Sequence, residues 1–306
     1  MGVSNLWFLH GVLLPSATFL SELTDLSPTS GIDELVGRAS GHPDPLFLAA
    51  RKINPGIAFE SPSVAQVLTA CGATFAADLS GGNTDLHYKK GANLGVRLAD
   101  ATAGHQRFRM ASGMMFWEEI SATHQQDAVI RARIIPTYNG SVAPIVPAGG
   151  LALAGTAAAG SFYTLGPIFI NGTELNGIES MRLTLGAQVM ELSSGGDVYT
   201  TFAGIGQREP VLEITSLETG AWVTYGLNGT ALNGSSGVVA YLRTKTADGT
   251  NAVTGCISLT ALYGRVEVSQ TAGSGNGPAK TTLRIPLRAN SAAAAVLAYD
   301  TNASLP

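Results

Sequence analysis

Charge is the scarcest thing in this sequence. Only 13% of its 306 residues are Asp, Glu, Lys or Arg, against 45% hydrophobic, and mean hydropathy is +0.20. A free protein surface usually carries more charge than that, so much of this one is expected to lie under partner subunits. A membrane span would also explain the figures, but no run of about 18 uninterrupted apolar residues occurs. The nearest approach, LWFLHGVLLPSATFL (6–20), is interrupted by His10, Pro15, Ser16 and Thr18. The first Lys or Arg comes only at Arg38, so this stretch is not expected to be a signal peptide either. Excess basic charge is missing too: a net charge of −4 excludes a clamp on a phosphate backbone. Two cysteines, Cys71 and Cys256, make no disulfide framework and read as reduced, partly buried thiols.

Catalytic patterns are absent as well. There is no P-loop Gly-Lys-Ser/Thr, no nucleophile elbow, and no Gly-x-Gly-x-x-Gly after a strand. GSGNGP (273–278) ends on proline ahead of a strand, not a helix. The five histidines, His10, His42, His87, His105 and His124, show no zinc-binding spacing. His105 and His124 are placed to meet across a hairpin. His42 and Asp44, beside two prolines, read as a turn rather than an acid–base pair. Glu118 and Glu119 are adjacent on a strand, so they are expected to point to opposite faces and not to flank one bond. Asn-Gly-Thr at 171–173 and 228–230 reads as turn chemistry. Nothing converges, so no enzyme, cofactor or metal site is expected.

What is present is glycine, 37 residues of it, gathered in turn-like clusters such as 81–83, 139–140, 195–197, 228–229 and 233–234. Between them lie short β-branched and aromatic runs, including VIRARII (129–135), GVVAYLRTKT (237–246) and TTLRIPL (281–287). Short runs closed by Asn-Gly or Gly-Gly turns read as hairpins, so the fold class is mainly β. One helix is expected in ESPSVAQVLTACG (60–72): Ser61 to N-cap, Pro62 at the first position, Val64, Val67 and Leu68 as the apolar stripe, Gly72 to end it. A weaker helical pattern starts at Ser216.

The chain also repeats itself. DAVIRARIIPTYNG (127–140) and KTTLRIPLRANS (280–291) share a polar residue, a β-rich run with two arginines and a proline, and an Asn turn. Ser40-Gly41 falls on Ser194-Gly195, Asp44 on Asp197, Pro55 on Pro210, Gly113 on Gly264, Arg131 on Arg284, and Asn139 near Asn290. A steady offset over several anchors is what duplication predicts. Two tandem β-sandwich units are therefore expected, 1–155 and 156–306, each with a short flanking helix. Pro55 and Pro210 are expected at strand starts, where no ladder donor is lost. Arg131, Arg133, Arg284 and Arg288, in or beside alternating strands, are expected to face away from the core, toward solvent or a neighbouring subunit.

HQRFRMASGMMFWEEISATHQQDAVIRARIIPTYNGSVAPIV (105–146) resembles a region of tailed-phage tail tube proteins, in which a strand ending in Gly-hydrophobic-hydrophobic leads to a second strand and an Asn/Asp-Gly turn. GIAFESPSVAQVL (56–68) is similar to the strand and helix of that family. The resemblance implies a β-sandwich whose rings stack into a tube, the inner sheets joining as a channel for DNA. It implies a virion tail protein assembled in the host cytoplasm. Its partners would be its own copies, other tail proteins such as a terminator and a tail-tip ring, and double-stranded DNA passing through without specific binding. Duplication fits the fused type, in which a homotrimer makes a pseudo-hexameric ring. Glu118, Glu119, Asp127 and Glu267 are then lumen-lining candidates, and the four arginines inter-subunit candidates. The apolar segment 6–23 departs from the pattern and reads as a first strand or an arm to a neighbouring ring. A double jelly-roll capsid protein forming pseudo-hexameric trimers is the alternative. A carbohydrate-binding spike is poorly served by three widely spaced tryptophans, Trp7, Trp117 and Trp222.

Overall fold

The computed structural model describes residues 7–37, 47–80, 84–93, 99–100, 104–152, 160–218, 220, 222–246, 252–272, 279–291 and 294–306. The Ser40-Gly41 and Asp44 anchors, His42 and the 273–278 loop lie outside them. The chain is mainly β. Its first half runs β1 (Trp7–Leu13), β2 (Phe19–Leu20), β3 (Asp25–Thr29), β4 (Ile32–Gly37), β5 (Phe47–Ile53), β6 (Gly56–Ser61), α1 (Val64–Cys71), β7 (Ala76–Asp78), β8 (Thr84–Asn93), β9 (Ala99–Asp100), β10 (His105–Met110), β11 (Gly113–Thr123), β12 (Val129–Pro136) and β13 (Val146–Leu151). The second half runs β14 (Tyr163–Ile170), β15 (Thr173–Leu175), β16 (Ile178–Thr184), β17 (Ala187–Leu192), β18 (Phe202–Arg208), β19 (Val211–Ser216), a π-helical turn (Trp222–Gly226), β20 (Val238–Thr244), β21 (Cys256–Ala261), β22 (Glu267–Ala272), β23 (Lys280–Pro286) and β24 (Ala298–Ala303).

Two of these elements correct the sequence reading. Ser63, not Ser61, holds the N-cap position of α1, and Pro62 lies outside the helix. Ser61 is engaged elsewhere: its buried Oγ donates to the Glu22 carbonyl (2.5 Å) and accepts the Ser63 N–H (3.1 Å). Val64, Val67 and Leu68 are buried as the stripe predicts, and Gly72, with φ +64°, ends the helix. The weaker pattern after Ser216 yields only the five-residue π-helical turn. Its Trp, Val, Thr, Tyr and Gly are poorer helix formers than the Val-Ala-Gln-Val-Leu-Thr-Ala-Cys of α1. The segment beginning at Trp7 is a strand, not an arm, since β1 pairs along its length with β8 and turns back on β2.

One wall sheet of the first half runs in the order β13-β10-β8-β1-β2, with β9 on β8; the second half has β24-β21-β20-β14-β15. The other wall is shared. A nine-stranded sheet runs β22-β23-β19-β16-β11-β12-β6-β3, with β7 on β11. Hairpins β4–β5 and β17–β18 form separate two-stranded sheets. The core lies on the inner face of the long sheet, with Phe59, Trp117, Ile120, Ile130, Leu183, Ile214 and Leu283 all at most 1% exposed. Each such side chain contributes about 1.5–3 kcal/mol by leaving water.

The ladders of the two halves correspond over most of their length. Asp25 pairs with Glu60 and Thr29 with Gly56, as Ser180 pairs with Thr215 and Thr184 with Val211. Bulges recur at the same places: Leu9/Gly11 and Leu165/Ile168, His105/Arg107 and Cys256/Ser258, Trp117/Glu119 and Val268/Gln270. Gly113 and Gly264 sit at equivalent ladder ends. A Cβ there would stand 2.1 Å from the Ile135 carbonyl oxygen and 2.6 Å from that of Pro286 respectively. The register also moves one anchor. Arg133, opposite Ala58, is the counterpart of Arg284, opposite Glu213; Arg131 is the counterpart of Thr282.

Candidate assembly surface

The outer face of the nine-stranded sheet carries a ladder of charge. Taken in strand order, Glu60 (β6), Arg131 (β12), Glu119 (β11), Arg182 (β16), Glu213 (β19), Arg284 (β23) and Glu267 (β22) alternate in sign. Neighbours in the row are direct cross-strand partners, except that Arg182 lies opposite Ser121 and reaches Glu119 diagonally. Period-two strands put every second side chain on one face, and opposite charges across strands attract. Arg182 donates to Glu119 at 2.6 Å, Arg131 Nε lies 3.2 Å from Glu118, and Arg284 lies 3.5 Å from Glu267. The Glu119 hydrogen bond also raises the Arg182 guanidinium pKa.

This arrangement redistributes the sequence candidates. Glu118, Glu119 and Glu267 share one face, but so do Arg131, Arg133 and Arg284, so acids and arginines do not separate into lumen and interface groups. Glu118 and Glu119 do not point to opposite faces. The bulge between Trp117 and Glu119 breaks the alternation and lets Glu118 reach Arg131. Asp127 lies in the β11–β12 turn, paired with Lys245 at 2.6 Å. Arg288 is exposed just past β23. His105 and His124 belong to different sheets, in β10 and just after β11. Among the described residues no three His, Cys, Asp or Glu side chains are grouped to hold a metal ion.

A second cluster escaped the sequence reading. On β8 and β10, Asp85 is buried and accepts two hydrogen bonds from Arg109, both 2.9 Å, with Arg107 at 3.8 Å and His87 at 3.9 Å. The Phe19 ring lies between the rings of His10 and His87. Burial lowers the His87 pKa, with Asp85 opposing, and the Asp85 hydrogen bonds raise that of Arg109. The spacing Asp85-x-His87 and Arg107-x-Arg109 on two strands was the available signal. At the corresponding ladder positions the second half has Val239, Tyr241, Ser258 and Thr260. Desolvation pushes the buried Cys71 thiol up to about 12, so it stays protonated near neutral pH.

Among the described residues the long sheet ends on two free edges, β3 and β22. Edge strands expose unpaired backbone groups that template further pairing. β3 carries Pro28, a residue that sheets accept at edges. The small hairpins expose Leu35, Val36 and Leu48 in one case and Met190, Leu192 and Phe202 in the other. Among the described residues no helix is long and apolar enough to cross a membrane. No family model matches the chain, and no curated protein matches it.

Proposed function

We propose that this chain is a structural wall subunit that assembles with its own copies into rings and then a tube, the tail tube of a tailed phage. One observation carries the reading. Inside the chain, β16 pairs with β11 and joins two four-stranded sheets of the same strand order into one. The edges left over are the counterparts of those same two strands: β3 corresponds to β16, and β22 to β11. Pairing β22 of one copy with β3 of the next repeats the internal seam and extends the sheet from chain to chain. Three chains closed in this way would give six wall segments, each half of the chain (1–155 and 156–306) being one copy of a duplicated unit. A heterologous contact that closes makes a ring and leaves no sheet edge.

The outer face of the long sheet would then line the channel. Its row of arginines, Arg131, Arg182 and Arg284, is already paired with carboxylates within the chain, so few phosphates would be neutralised and few counterions released as DNA passes. The apolar residues of the β4–β5 and β17–β18 hairpins would serve ring-to-ring stacking. Negative-stain electron microscopy of the concentrated protein tests the reading. Hollow tubes with three-fold or near-six-fold end views are expected, and Leu26→Glu on β3 should abolish them, because its counterpart Met181 is only 2% exposed. Closed shells or flat hexagonal sheets would replace this reading with the double jelly-roll capsid protein.

A further inference from the structure

Between the wall sheet and the shared sheet the first half has a groove that no described residue fills, whereas the corresponding place in the second half is covered. The groove is open and apolar, of about 300 Å³, lined by Trp7, Pro28, Tyr88, Phe108 and Ile145 among others. Trp7, Tyr88, Phe108 and Ile145 are only partly buried there, and Pro28 is exposed. Their ladder counterparts in the second half are Tyr163, Leu242, Leu259, Leu297 and, for Pro28, Leu183, each at most 4% exposed.

The covering piece in the second half comes from the first. The β11–β12 turn crosses the β16–β11 seam and lies over β14. Ala128 is fully buried and donates its N–H to the Tyr163 carbonyl at 2.7 Å. The His124 N–H donates to the Glu179 carbonyl at 2.8 Å, and Asp127 pairs with Lys245 at 2.6 Å. The counterpart of Ala128 is Ala279, immediately before β23, and the counterpart of Tyr163 is Trp7.

We infer that the open groove is the seat for Ala279 and the start of β23 of a second copy of this chain, with the Ala279 N–H of one copy donating to the Trp7 carbonyl of the next. The occupant follows from the filled counterpart, not from the shape of the groove alone. The same seam that would bring β22 alongside β3 also carries Ala279 over β1. The inference rests on the ring reading, but adds a contact that pairing of the edges does not require.

Trp7 reports on it. In a Trp222→Phe background the remaining tryptophans are Trp7 and the fully buried Trp117. Acrylamide quenching is measured on dilute, unassembled protein and on tubes purified by sedimentation. Strong quenching in the first and its loss, with a blue-shifted emission, in the second is the expected result. Tubes in which Trp7 is quenched as readily as in the dilute protein would overturn this inference and leave the ring reading standing. Protein that never assembles at any concentration would overturn both. A second variant, Ala279→Asp, places a charge where the counterpart is fully buried. The concentration needed for assembly should rise at least about tenfold, with circular dichroism of the dilute protein unchanged. Assembly at the wild-type concentration would count against the groove contact.

Discussion

Strands β6 and β19 hold equivalent places in the long sheet, and each ends on a buried serine bonded in the same way. Ser61 donates to the Glu22 carbonyl and accepts the Ser63 N–H; Ser216 donates to the Asn176 carbonyl (2.8 Å) and accepts the Glu218 N–H (3.0 Å). Beyond that point the halves part. The first continues into α1, whose Leu68 carbonyl accepts a hydrogen bond from Tyr299 on β24 (2.8 Å), while Phe75 meets the Tyr299 ring. The second makes only the turn Trp222–Gly226. The helix stands against the other half of its own chain. The turn packs on β22 and β23 of its own half. Hydrogen-bonded ladder geometry is therefore kept in both halves, while the segment packed on top varies with what it has to touch.

The comparison is broken most severely at the filled hollow. Ala128→Asp, at a fully buried site on the internal seam, should lower stability by about 3 kcal/mol or more, seen as a drop in urea midpoint. Ala279→Asp at the matching but open site should change it by no more than about 0.5 kcal/mol. Equal losses from the two would show that the hollows do not differ as described.

Next come the serines. Ser61→Ala and Ser216→Ala each remove two hydrogen bonds made by a fully buried hydroxyl, and each should cost about 1–3 kcal/mol in denaturant unfolding. Similar values would sharpen the equivalence of the two corners, and a free substitution at one of them would break it.

The Asp85 cluster marks a difference instead. The folded pKa of His87 lies below its ordinary value, so around pH 6.5 the unfolded chain binds more protons at this residue than the folded one. Its contribution is therefore fully present above the ordinary histidine pKa and is lost as pH falls through it toward the lower folded value. Thermal midpoints measured from pH 7.5 to 5 should fall, and His87→Gln should flatten that part of the curve. A wild-type curve no steeper than that of the variant would rule out the His87 contribution.

The smallest effect belongs to the charge ladder. Arg182 is more than half exposed, so Arg182→Met should shift stability by only about 0.5 kcal/mol, less in high salt. A loss of several kcal/mol would mean that the ladder holds the seam together.

Much of this architecture could be read from residue types alone. The Gly clusters at 139–140, 195–197, 228–229 and 233–234 mark turns, while 81–83 lies outside the described residues; the alternating runs give the strands, and Pro55 and Pro210 directly precede β6 and β19. The α1 stripe of Val64, Val67 and Leu68 was legible because its 3.6-residue period is local. Three things were not. The start of α1 depended on Ser61 being engaged by Glu22, about forty residues away. The facing of Glu118 and Glu119 depended on a bulge, which strict alternation cannot foresee. The placement of Arg131 and Arg284 beside acids depended on cross-strand register, set by the whole sheet. Three of the four carboxylates proposed for a channel, Glu118, Glu119 and Glu267, share a face, while Asp127 lies in a turn; the arginines that pair with the three were found only through register.

The β16–β11 seam has one more consequence. Because both strands belong to one molecule, that seam closes during folding at an effective concentration in the millimolar range, however dilute the protein is. The β22–β3 seam proposed between copies has no tether and depends on bulk concentration. A duplicated chain would thus turn every second joint of a ring into a first-order event, leaving only half of the joints to diffusion and making growth less dependent on protein concentration.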